Sequence, residues 1–185
     1  TILSAISADG LEWTLEDGIR FGDGVRSYGT PRCLYLSDSQ YRLYFHRYTH
    51  PLSYEPNAGN HIISAVAADV LKFIEEPGVR IAQESERETF AVYAPEVIRC
   101  GDGSYRMYYS AWTKDIAGGI FTATSTDGLD WTKQETPCLD LGAPLDCNMV
   151  SEPCVTELPD GRARLFYEAR DKQGHCRILS ATSPA

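Results

Sequence analysis

Two carboxylates stand beside prolines at matching points of the chain. Glu96 follows Pro95 in YAPEVIR (Tyr93 to Arg99), and Glu152 precedes Pro153 in SEPCV (Ser151 to Val155). Carboxyl groups aimed at one point do acid–base work. The one whose pKa is raised gives a proton, and the other accepts one or activates water. A third proline point, TPR at Thr30 to Arg32, offers Arg32 instead. Asp146, in the loop PLDCNMVSEP, is a further carboxylate within reach of Glu152 along the chain. Two more columns of chemistry-bearing residues follow: His46, Ser110 and Glu168, then Tyr48, Trp112 and Arg170. Tyr48 and Trp112 offer flat faces for stacking. His46 offers an imidazole that titrates near neutrality. Glu168 and Arg170 alternate on one strand face.

Groups this scattered need repeating elements to bring them together, and the chain repeats. ILSAISADGLEWT from Ile2 returns as IISAVAADVLKFI from Ile62, IFTATSTDGLDWT from Ile120 and ILSATSPA from Ile178, at spacings of 60, 58 and 58 residues. Between them, TPRCLYLSDSQYRLYFHRY, APEVIRCGDGSYRMYYSAW and EPCVTELPDGRARLFYEAR form a second repeat. Each unit reads as strand, Asp/Gly/Ser turn, strand, loop, strand, turn, strand. Four short strands per unit of about 60 residues is the pattern of β-propeller blades. The expectation is an all-β single domain over residues 1–185, with about three blades and no helix. It would be part of a five-bladed ring or half of a six-bladed homodimer. Trp13, Phe73 and Trp131 hold one place per unit, which predicts blade-to-blade packing. Arg42, Arg106 and Arg164 also recur and read as scaffold.

Composition narrows the partners. A net charge of −9 argues against nucleic acid and anionic membrane. No apolar run approaches the roughly 20 residues that span a bilayer. The six cysteines contain no C-x-x-C pair, which argues against zinc. They read as reduced thiols, with Cys138 and Cys147 as the pair to bridge if any does. No residue pattern demands a cofactor or a metal. No signal peptide is evident. The chain opens on Thr1, so an upstream segment is compatible; cytoplasm is favoured slightly over secretion.

The DG-x-x-W turns and the proline-marked strand starts resemble the β-propeller glycoside hydrolases and phosphorylases of the arabinanase/xylosidase, invertase and mannoside-phosphorylase type. The resemblance covers nearly the whole chain. It implies a carbohydrate ligand. In the arabinanase type, an acidic residue in W-A-P-D-V orients the general acid, and Glu96 stands at the similar place in YAPEV. The general acid is a Glu close before a proline one blade later, as Glu152 is. The base is an Asp before the first proline, where this chain has Thr30. The phosphorylase motif D-P-R departs at the same position.

The resemblance thus implies inverting glycoside hydrolysis, with Glu152 as acid, Glu96 as its modulator and Asp146 as a substitute base. Arg32, His46, Tyr48, Trp112, Glu168 and Arg170 would bind substrate. Two alternatives stand beside it: an inactive carbohydrate-binding propeller, favoured by Thr30, and a protein–protein scaffold. The same residues also fit structural roles. Glu96 can pair with Arg32 across blades, Glu152 can accept backbone N–H bonds, and His46 can be a buried strand histidine.

Overall fold

A computed structural model describes residues 1–36, 39–48, 59–114, 117–142 and 144–183. The first hairpin turn, SDSQ, lies partly outside them. The described residues form thirteen strands and no helix, so none contains a helix long and apolar enough to cross a membrane.

The strands follow the repeat. β1 (Ala5–Ile6) and β2 (Thr14–Leu15) pair with each other alone. β3 (Ser27–Tyr35), β4 (Tyr41–Tyr48), β5 (His61–Ala67) and β6 (Ile74–Glu75) make a four-stranded antiparallel sheet. β7 (Ala91–Arg99), β8 (Tyr105–Trp112), β9 (Ala117–Ser125) and β10 (Thr132–Lys133) make the next. β11 (Met149–Glu157), β12 (Ala163–Arg170) and β13 (Cys176–Thr182) make the last. Met149 and Val150 of β11 pair in parallel with Ala117 and Gly118 of β9, which joins the last two units into one sheet. That join requires a glycine: a Cβ on Gly118, at φ +123°, would sit on the Val150 backbone. The fourth strands are two residues long, which keeps the outer edges short.

Cores lie between the units, because alternate residues of each middle strand face opposite neighbours. Leu43 and Phe45 of β4 pack with Ile2 and Phe21 of the N-terminal segment. Tyr44 faces the other way, onto Val92, Met107 and Tyr109. Tyr108 of β8 then packs with Val150, Leu165 and Tyr167.

Two of the three recurring aromatics sit between units. Trp131 meets Tyr44 edge-on at 5.9 Å, and Phe73 is buried in the first core. Trp13 remains 63% exposed. Arginines repeat the same junction: Arg20 donates to the Leu71 carbonyl, and Arg80 to that of Leu129. Arg42 is scaffold, held by both oxygens of Glu76 and by the Asp127 carbonyl. All six cysteines are free thiols, so Cys138 and Cys147 are not bridged.

Candidate functional site

The residue before each proline is bent the same way. Thr30, Ala94 and Glu152 have φ of 50°, 50° and 51°. Left-handed backbone is uncommon outside glycine and is an outlier for a β-branched threonine. A following proline disfavours it further, since it biases its predecessor toward extended conformations. The cause is a bulge at the start of each unit's first strand. Register slips between Gly29 and Arg32, between Tyr93 and Glu96, and between Ser151 and Cys154. Such bulges re-aim side chains and gather next to functional sites.

The bulges align two columns of side chains. Gly29, Tyr93 and Ser151 pair across strands with His46, Ser110 and Glu168. Ser27, Ala91 and Met149 pair with Tyr48, Trp112 and Arg170. The positions that vary between repeats are therefore neighbours on one patch.

At the second and third units these columns enclose a small cavity of about 180 Å³. Tyr93, Trp112, Glu152, Glu168 and Arg170 line it. The Glu152 N–H donates to Ser110 Oγ at 3.0 Å, which anchors the bend. Burial pushes the Glu152 carboxyl above the usual carboxylate range. The Glu168 charge adds to the rise, and Arg32 opposes it. Burial likewise pushes the Tyr93 phenol up to about 12, helped by the Glu152 and Glu168 charges. Arg170 donates to Met149 Sδ at 2.6 Å, and its Nε has no hydrogen-bond partner among the described residues.

Other candidates lie elsewhere. Glu96 accepts from Arg32 Nε at 2.7 Å across two units, and its second oxygen is 3.5 Å from the Val155 N–H. Neither Glu96 nor Arg32 lines the cavity. Asp146 accepts from the Tyr167 hydroxyl at 2.9 Å and is not a lining residue either. Thr30 Oγ1 is buried without a partner among the described residues.

His46 is 2% exposed, its ring centroid 3.8 Å from that of Tyr48 and 5.9 Å from that of Tyr93, both pairs tilted at 45°. Burial, with a smaller push from His61, lowers its pKa to about 3. The imidazole is therefore neutral through the physiological range and does not shuttle protons there. Tyr48 fills the space left by Gly29, whose Cβ would approach its ring to 3.1 Å.

Tyr93 and Ser151 were absent from the expected site. The signal was available, because the residue two before each proline varies as Gly, Tyr and Ser. Among the described residues no cluster of His, Cys, Asp and Glu is arranged to hold a metal. A larger cavity of about 460 Å³ lies between the second and third units and contains none of the expected site residues.

No protein-family model matches the chain, and no curated protein does. Solved structures do. Zg3597, a family 117 glycoside hydrolase from the marine bacterium Zobellia galactanivorans, aligns over 88% of this chain and 54% of its own, with TM-score 0.73 and 19% identity. An endo-arabinase from Bacteroides thetaiotaomicron aligns over 94% and 61%, with TM-score 0.66 and 16% identity. Fructan 1-exohydrolase IIa from Cichorium intybus aligns over 88% and 31%, with TM-score 0.69 and 13% identity. The chain thus spans from about a third to three fifths of these proteins. Identities this low speak to fold alone, and the chain has the all-β propeller fold that these glycoside hydrolases share.

Proposed function

We propose that the protein acts on a carbohydrate as an inverting glycoside hydrolase. Glu152 serves as the general acid. The observation that carries this is the Glu152 carboxyl itself. It is half-buried, raised in pKa, fixed on a bent bulge, and shares a cavity with a second carboxylate and an indole. Glycoside cleavage needs a carboxyl that keeps its proton near working pH and a carboxylate that activates water. Glu168 lines the same cavity and is the candidate for the second role; Asp146 is turned to Tyr167. Glu96 modulates the acid through Arg32. By pairing with that guanidinium it tempers a charge that lowers the Glu152 pKa. Trp112 stacks on the sugar, and Arg170 binds its oxygens.

A second copy completes the ring in this reading. Leu11, Trp13 and Leu15 stand exposed on the N-terminal pair of strands. Thr30, where the resembled enzymes carry an Asp, favours a second reading in which the site binds sugar without cleaving it.

Glu152→Gln on arabinan, xylan and fructan separates the readings. As an enzyme, the protein loses about 10²–10⁴ of its turnover and keeps its sugar-dependent melting shift. As a pure binder it has no turnover, and the shift is unchanged by the substitution. A scaffold shows neither.

A further inference from the structure

The junction between the first and second four-stranded units works as a plug and socket. The plug is the turn Ser125–Trp131. Its Gly128 N–H donates to Ser125 Oγ at 2.8 Å, its Leu129 N–H to Asp127 Oδ1 at 2.8 Å, and its Trp131 Nε1 to the Gly128 carbonyl at 3.1 Å. The socket is Arg42, Tyr44 and Arg80. Arg42 donates to the Asp127 carbonyl at 2.9 Å, the Tyr44 hydroxyl to that of Gly128 at 2.9 Å, and Arg80 to that of Leu129 at 2.7 Å.

A second plug has no receiving side chains among the described residues. Ser7–Trp13 repeats the sequence as S-A-D-G-L-E-W and repeats the geometry. Gly10 N–H to Ser7 Oγ is 2.8 Å, Leu11 N–H to Asp9 Oδ1 is 2.8 Å, and Trp13 Nε1 to the Gly10 carbonyl is 3.2 Å. The turn is preformed, yet Leu11 is 83% exposed.

The molecule also holds a second socket, which no described residue fills. The 460 Å³ cavity is lined by Arg106, Tyr108, Gln134, Cys138, Thr182 and Ser183. Arg106 and Tyr108 hold the register of Arg42 and Tyr44: they pair with Thr124 and Thr122 of the third strand as those pair with Val66 and Ser64. Cys138 follows the fourth strand where Arg80 does, one repeat on.

We propose that the socket takes the Ser7–Trp13 turn of a second copy of this chain. The proposal rests on the paired-ring reading above and supplies its contact surface. The incoming β1 replaces β13 on the edge of β12. The exchange is nearly neutral in pairing, since Ile2–Ser7 (ILSAIS) and Ile178–Ser183 (ILSATS) agree at five of six positions. It adds the docked turn, and it brings β2 as a fourth strand beside the three described strands of the last unit. Swapping a near-identical element between protomers is a low-cost route to a dimer. The contact is heterologous, plug to socket, and two such junctions close a ring.

Sedimentation velocity of the full chain over a concentration series tests it. The expected result is a species at twice the 20.6 kDa chain mass. Leu11→Ser, Trp13→Ala and Arg106→Ala each weaken dimerisation on the order of tenfold or more. All three residues are exposed, and circular dichroism checks that each variant folds. Mixing Trp13→Ala with Arg106→Ala restores one intact junction, and with it dimer formation of intermediate affinity. A dimer unchanged in every variant overturns the inference while leaving a paired ring through another face. A monomer at all concentrations overturns both, without bearing on Glu152.

Discussion

Glu88 is a buried carboxylate that accepts four hydrogen bonds, and its replacement is a sharp stability test. Its side chain is 1% exposed. One oxygen accepts from Lys133 Nζ at 2.6 Å and from the Glu84 and Ser85 N–H groups at 3.1 Å. The other accepts from the Tyr109 hydroxyl at 2.9 Å. Lys133 lies on β10, so the ion pair ties the segment after β6 to the edge of the next unit. Glu88→Gln keeps the shape and removes the charge. Breaking a buried ion pair costs about 3–5 kcal/mol. The lower end applies, because Lys133 keeps the Ala82 carbonyl and the exposed Glu84. At about 2–4 °C per kcal/mol for a chain of this size, a loss of about 3 kcal/mol lowers Tm by roughly 6–12 °C at pH 7.

The pH dependence fixes the sign. Burial alone would raise the Glu88 pKa. Lys133, the Glu84 N–H and Tyr109 outweigh it and hold the carboxyl below its ordinary value. Its contribution is therefore present above the unfolded pKa of about 4.3 and is lost as pH falls through the folded value. The gap between wild type and Glu88→Gln should close in acid. Calorimetry at pH 7 and at pH 3 measures both points. A drop under about 2 °C at pH 7, or a gap that persists in acid, refutes the reasoning.

Three further predictions follow from the site and the junctions. Glu152 has a raised pKa, so the stability it confers is present below its unfolded value and lost as pH rises through the folded one; Glu152→Gln should gain on wild type in melting temperature from pH 5 upward. Removing the lowering influence of Arg32 raises the Glu152 pKa further, so Arg32→Ala should move the alkaline limb of a turnover–pH profile to higher pH. Trp131→Ala removes the edge-on contact with Tyr44 and should cost about 3 kcal/mol by urea unfolding, whereas the exposed Trp13→Ala should cost well under 1 kcal/mol in the monomer.

The repeat carried most of the fold. Alternating strands, Asp-Gly turns and one bulky aromatic per unit are local patterns with local causes. The Asp9, Asp69 and Asp127 carboxylates each cap the N–H group two residues on. The bend at the proline was the opposite case. A proline argues for an extended predecessor, yet tertiary context holds Thr30, Ala94 and Glu152 left-handed, and that conformation aims the site. Columns of varying residues pointed at His46, Ser110 and Glu168 but not at their burial. Periodicity gives a face; it does not say whether solvent reaches it. Hence sequence alone leaves His46 between a titrating group and a buried strand histidine, and the fold makes it a neutral buried ring. Ser110 also lacked a visible role, because the Glu152 N–H it accepts from is one unit away. The Arg32–Glu96 pair was legible, since both follow prolines in adjacent units.

The central claim is that Glu152 gives a proton to a departing sugar in an inverting, single-displacement cleavage. Proton NMR of the reaction of the full chain with arabinan, xylan and fructan tests it most directly. The account predicts that the first-formed reducing sugar carries the inverted anomeric configuration, and that Glu152→Gln abolishes its appearance. Retained configuration, or product formed at the same rate by Glu152→Gln, would contradict it.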